Sequence, residues 1–162
     1  MSEPLFKVKG ASKAERYEAF LRLYAPFIEG ETDAVTAMAN TAAALREAFG
    51  FFWVGFYTVK EDHLQLAPFQ GPVACSRIRY GHGVCGTAWQ QQQTIVVPDV
   101  EQFPGHIACS SLSRSEIVVP VVANGRVLAV LDVDSTDLNA FDNTDRKYLE
   151  QVATLLAQHS TL

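Results

Sequence analysis

Three cysteines and three carboxylates carry the chemistry open to this chain of 162 residues. Cys75, Cys85 and Cys109 make an odd count, which fits a reducing compartment where thiols stay free, bind metal or react. Cys75 and Cys109 lie in polar surroundings near Arg77, Arg79 and Ser110-Ser111, a setting that suits thiol exchange. One thiol that attacks and a second that resolves its oxidised product form a redox pattern. Cys85 sits in an apolar stretch and reads more readily as an inert thiol packed like a small hydrophobe. Two further chemistries compete. Cys75, Cys85, Cys109 and His82 or His106 are adequate zinc ligands, but no pair has the C-x₂₋₄-C spacing that marks such sites. Cys109 with His106 could serve a cysteine hydrolase, although residues three apart in a loop have no fixed geometry.

The carboxylates are Glu116, Asp132 and Asp134. They flank Asn124-Gly125, which lies between two β-branched runs and is a strong hairpin signal because both residues tolerate positive φ. Asp132 and Asp134 are two apart and share one face of a strand. Register decides whether Glu116 joins them. A strict two-residue loop pairs Ala123 with Arg126 and Glu116 with Val133, sending Glu116 to the other face. A three-residue loop or one bulge pairs Glu116 with Asp132 and gathers all three acids. Either they form a site, or they lie at the frayed, solvated ends of two strands, since burying three unpartnered acids is costly.

The elements that must position these groups follow from pattern. Residues 1–11 read as an extended arm. Ser12 with Glu15 predicts a helix start, with Tyr17, Phe20, Leu21 and Tyr24 on one stripe and Pro26 at its end or a kink. Thr32 or Asp33 caps a second helix whose buried face is Val35, Met38, Ala42, Leu45 and Phe49, with Gly50 closing it. Phe51–Lys60 and Leu64–Phe69 read as strands. In the first, Trp53, Gly55 and Tyr57 share one face, and Phe52, Val54 and Phe56 the other. Trp53 and Tyr57 are either plain core or an apolar wall with polar tips for a small ligand. A loop runs from Gln70 to Gly83. A short helix then begins at Val84, and its first N–H groups are placed to meet an anion such as a carboxylate. Thr94–Val97 is a strand, 98–108 a long loop, and a last helix starts at Asp142 or Asn143 with Leu149, Val152, Ala153 and Leu156 as its stripe. Helices at both ends of a mainly antiparallel sheet describe one α+β domain. Both faces of the central hairpin are apolar, so the N- and C-terminal helices should cover one face and the cysteine-bearing loops the other.

Composition bounds the function. At 48% hydrophobic the chain can fill a sizeable core, and its net charge of −5 with no Lys/Arg cluster argues against nucleic acid. No apolar run reaches the roughly 18 residues of a membrane span. The segment MSEPLFKVKG lacks a signal peptide's apolar core, so a cytoplasmic protein is expected.

GHGVCGTAW (Gly81 to Trp89) and VPDVEQFPGHIACSSLSRSEIVVPV (Val97 to Val121) resemble the free methionine-(R)-sulfoxide reductases, a catalytic branch of the GAF fold. The similarity spans nearly the whole chain, with Ser110 standing where that family often has an acidic residue. It implies a single GAF-like catalytic domain over 1–162, Cys109 as the attacking cysteine, Cys75 as its resolving partner and Cys85 as a third family cysteine. It further implies that Trp53 and Tyr57 bound the pocket for the substrate methyl group, and that Glu116, Asp132 and Asp134 form the acidic cluster. The expected substrate is free L-methionine-(R)-sulfoxide, with an external dithiol reductant such as thioredoxin. No metal and no resident cofactor are expected, and a homodimer is allowed. The chemistry agrees: a sulfoxide oxygen leaves poorly unless protonated, and crowded carboxylates raise one another's pKa so that one stays an acid. The other reading that GAF domains allow is a sensor of small ligands without catalysis.

Overall fold

Capping signals near the two ends of the chain fix its first and last helices. The computed structural model describes residues 4–107 and 109–162, so Met1–Glu3 of the expected arm and Ala108 of the expected 98–108 loop lie outside the described residues. Ser12 accepts from the Glu15 N–H and starts α1 (Lys13–Glu29), while the Glu15 carboxylate reaches back to the Ala11 N–H at 2.8 Å. Pro26 does not end this helix. It is exposed, so the carbonyl its ring leaves unpaired can face water, while Ile28 beyond it is fully buried and holds the last turn. Asp33 caps α2 (Ala34–Phe49), and Gly50 closes it at φ 65°. The buried stripe of α2 runs through Ala37, Met38, Thr41, Ala42 and Leu45, and Val35, expected inside, is exposed.

The sheet follows. β1 (Trp53–Lys60) and β2 (His63–Gln70) form a hairpin, and β3 (Arg77–Arg79), which the sequence does not announce, pairs with β2. Then come α3 (Gly83–Gln91), β4 (Ile95–Val97), a 3-10 turn at Val100–Gln102, β5 (Ser115–Ala123), β6 (Arg126–Ser135) and α4 (Asn143–His159). The strand order is β3-β2-β1-β6-β5-β4, antiparallel throughout.

One face carries Val54, Phe56, Ile117, Val119, Leu131 and Val133 in a single core with α1, α2 and α4. Asp145, at the start of α4, accepts from Tyr17 at 2.6 Å and from Lys13 at 2.7 Å, locking α1 to α4. On the opposite face Trp53, Tyr57, Val118 and Val130 pack against Val84, Cys85 and Ala88. Thus α3 and the long loops cover that side, as expected, with Cys85 held on a helix rather than in a loop. No helix among the described residues is long and apolar enough to cross a membrane.

Candidate active site

The register of two strand pairs builds the site. Asn124 and Gly125 take positive φ, 53° and 74°, and make a two-residue turn that pairs Ala123 with Arg126. Left regular, this ladder would set Glu116 against Val133. Between Val122↔Val127 and Val121↔Ala129, however, β6 accommodates one extra residue, Leu128. The bulge shifts all later pairs, so Glu116 faces Asp134 and not the Asp132 expected for a bulged hairpin. Parity is what matters chemically: Glu116, Asp132 and Asp134 share one face.

The next strand puts the aromatic wall on that same face. Trp53 pairs with Asp134 and Gly55 with Asp132. Glycine is required at the second of these, because a Cβ on residue 55 would overlap the backbone and Cβ of Phe69 where the β1–β2 register slips. Trp53 stacks on Phe69 with ring centroids 5.2 Å apart and on Tyr57 at 6.1 Å. The polar tips of both wall residues are used: Trp53 donates to the Pro72 carbonyl at 3.0 Å, and Tyr57 to the Cys75 carbonyl at 3.0 Å. Two aromatic side chains thereby tether the loop that carries Cys75. Phe52, expected to share a face with Val54 and Phe56, precedes the strand and lines the pocket instead.

Cys109 lines the same pocket and is joined to Cys75 in a disulfide, their Cα atoms 5.4 Å apart. This bond removes both thiols from the zinc set that composition allowed. It also leaves Cys109 no hydrolase partnership with His106, whose Nε2 instead lies 4.0 Å from Glu116 Oε1. The cavity itself is narrow, about 50 Å³, and opens to solvent at its mouth. Gly83 and Val84, at the start of α3, form part of its lining, so the positive end of that helix faces the cavity. The sequence offered His106 only as a zinc ligand or hydrolase partner, and it did not single out Ile107, Val73 or Ser113, which also line the pocket. FPGHIAC held the signal for the first two, but only the fold shows where that loop lands.

Electrostatics separates the acids. Glu116 is 7% exposed and Asp132 6%, so they are not solvated strand ends. Burial, then the charges of Asp132 and Asp134, push the Glu116 carboxyl well above its usual range. Asp134, partly exposed, is also raised well up, by the protein mass around it and by Asp132. Burial raises Asp132 too, but hydrogen bonding to Glu116 and to Cys85 favours its anion. The three acids titrate as one interacting set held up by burial, within which the hydrogen bonds from Glu116 and Cys85 favour the Asp132 anion. Cys85 is fully enclosed, and burial followed by the charges of the three acids drives its thiol well up, making it a poor nucleophile. Burial lowers the His106 pKa, which keeps the ring neutral near pH 7. Tyr57 stays a phenol, raised by burial first and then by the acids.

Relatives carry the same architecture. A GAF-domain family profile matches residues 29–159. GAF domain-containing protein A of Dictyostelium discoideum is 59% identical over 157 residues, covering 96% of this chain and 99% of that protein. The free methionine-R-sulfoxide reductase of Escherichia coli is 42% identical over 146 residues, covering 90% of this chain and 88% of its own length. Among solved structures, the free methionine-R-sulfoxide reductase of Neisseria meningitidis in complex with its substrate superimposes with a TM-score of 0.93. It is 52% identical, with 95% of this chain and 93% of that one covered.

Proposed function

We infer the activity from one premise: the chain belongs to the free methionine-R-sulfoxide reductases, a branch of the GAF-domain family. It reduces free L-methionine-(R)-sulfoxide to L-methionine, with residues 1–162 acting as one catalytic unit. The observation that carries this reading is the convergence on a single pocket of Cys109, disulfide-bonded to Cys75, with three carboxylates and the Trp53/Tyr57 wall.

Roles follow from position. In the reduced protein the Cys109 sulfur attacks the sulfoxide sulfur while a protonated carboxyl, Glu116 or Asp134, donates to the departing oxygen. The substrate sulfur gains two electrons and becomes a thioether; Cys109 takes the oxygen as a sulfenic acid. The Cys75 thiol then displaces that oxygen as water, and the two cysteines are left as a disulfide. Tyr57, bonded to the Cys75 carbonyl, holds the resolving thiol in range. Asp132, as the anion, receives the substrate ammonium; its Oδ1 is buried without a hydrogen-bond partner. The N-terminus of α3 faces the substrate carboxylate, and Trp53 covers the methyl group. A dithiol protein such as thioredoxin, in the cytoplasm, exchanges with the disulfide and restores both thiols. Neither a metal nor a resident cofactor enters the cycle. A homodimer is compatible with the reading.

The deciding experiment supplies each methionine sulfoxide epimer with thioredoxin and its reductase and follows free methionine. Formation from the R epimer alone is expected; no methionine from either would leave a ligand-sensing role.

A further inference from the structure

The pocket floor gathers donor atoms that the reduction does not use as a set. One ligand atom each of Cys85, Glu116 and Asp132 lie within 4.8 Å of one another, and His106 Nε2 stands 4.0 Å from Glu116 Oε1. The four residues come from α3, β5, β6 and the loop before β5, so the fold and not a local motif brings them together. A second observation marks the floor as short of a partner. Asp132 is 6% exposed and its Oδ1 accepts no hydrogen bond. Among the described residues, no Lys or Arg lies within ion-pairing distance of any of the three acids.

The donor chemistry selects the ligand. A thiol, an imidazole and two carboxylates make a borderline set of the kind zinc accepts, whereas calcium and magnesium favour oxygen throughout. Adjacent ligands of tetrahedral zinc are roughly 3.3–3.8 Å apart, given its bond lengths. The spacings of Cys85, Glu116 and Asp132 need those side chains to draw inward by about 1 Å, and His106, which approaches only Glu116, must swing in further to join them. The environment that discourages a Cys85 thiolate also reverses once a dication is present, because coordination deprotonates a thiol outright. This set differs from the one the cysteine count suggested, since it excludes Cys75 and Cys109.

We propose that Cys85, Glu116, Asp132 and His106 form a zinc-binding site at the pocket floor, and that the ion and the substrate exclude each other. Exclusion follows from Asp132, which serves both. The ion is thus an inhibitor that enters the pocket and not a cofactor. Binding itself is independent of the proposed reaction; only the exclusion rests on it.

The test uses the chain in its Cys75–Cys109 disulfide form, where Cys85 is the sole thiol, stripped with chelator and titrated with cobalt(II). Expected is one equivalent bound, with a sulfur-to-cobalt charge-transfer band in the near ultraviolet that zinc abolishes. Cys85→Ser should lose the band, and His106→Gln should weaken binding by about tenfold or more, the loss that even an outer partner of a metal ligand causes. A wild-type protein without the band, or a Cys85→Ser protein that keeps it, overturns the site. If Cys85→Ser does not fold, Asp132→Asn decides, and unchanged cobalt affinity overturns it. Saturating methionine-(R)-sulfoxide should displace the cobalt; a band indifferent to it overturns the exclusion. Because the spectrum needs no turnover, failure of the reductase assay and failure of this site are read separately.

Discussion

Glu116 stands directly opposite Asp134 in the β5–β6 ladder, and the pairing depends on the extra residue Leu128 in β6. Without it, the two-residue turn would set Glu116 against Val133 and turn its side chain into the helix-side core. One bulged residue thus decides whether the acids meet. The separate β1–β6 ladder places Trp53 beside Asp134, so acid cluster and aromatic wall meet through two registers that share β6.

Cysteine substitutions separate attack from resolution. Cys109→Ser should abolish methionine formation and leave the fold intact, since Cys109 lies in a loop. Cys75→Ser should release about one methionine per enzyme and then stall with thioredoxin. Steady turnover by Cys75→Ser at the wild-type rate would remove Cys75 from the resolving role and point to direct reduction or to Cys85.

Each acid should be felt in single turnover. Asp134→Asn and Glu116→Gln keep shape but remove the proposed proton donors, and Asp132→Asn removes the proposed ammonium partner. Loss of one charge-assisted hydrogen bond costs about 1.5–3 kcal/mol, or roughly ten- to a hundredfold. Rapid-quench rates and substrate affinities that stay unaltered in all three variants would reduce the cluster to structure.

Stability should fall as pH rises. The folded Glu116 carboxyl is raised above its unfolded value, so the folded chain keeps a proton that the unfolded chain gives up above about pH 4. That contribution is fully present below the unfolded pKa and is lost as pH climbs toward the raised folded value, at up to about 1.4 kcal/mol per pH unit. Glu116→Gln does not titrate. Its melting temperature should gain on the wild type between about pH 5 and about pH 8. Parallel melting curves across that range would show that the carboxyl ionises normally.

Recognition of the α-charges should give selectivity. In a peptide, the amides flanking methionine sulfoxide would leave Asp132 and the α3 N-terminus without their charged partners. Discrimination of at least about 100-fold against a blocked methionine sulfoxide is expected, together with preference for the R epimer. Comparable kcat/KM on free and N-acetylated amide substrates would mean the charges are not read.

How much of this was legible in the sequence depends on range. Ser12, Asp33, Asp142 and Asn124-Gly125 announce helix starts and a turn because their chemistry acts within four residues. The two-residue period places Asp132 with Asp134 and Trp53 with Tyr57. The bulge at Leu128 has no such mark, since Val127-Leu128-Ala129 is uniformly apolar. β3 is three residues long and exists through its pairing with Gln65, Leu64 and His63. Pro26 argues locally for a helix end, and the burial of Ile28 outweighs it. The Tyr57–Cys75 hydrogen bond and the approach of His106 to Glu116 are likewise set by tertiary structure alone. The cysteine roles came from resemblance, not spacing.

The Cys75–Cys109 bond spans 34 residues, a segment that holds β3, α3, β4 and the 3-10 turn. Closing a loop of that length removes roughly 4 kcal/mol of unfolded-chain entropy, so each catalytic cycle braces the molecule and then releases it. The oxidised protein should melt higher and resist protease longer than the dithiol form, as calorimetry and timed digestion of the two would register. When reductant runs short, the chain drifts into its sturdier state: starvation idles the enzyme in the form that lasts.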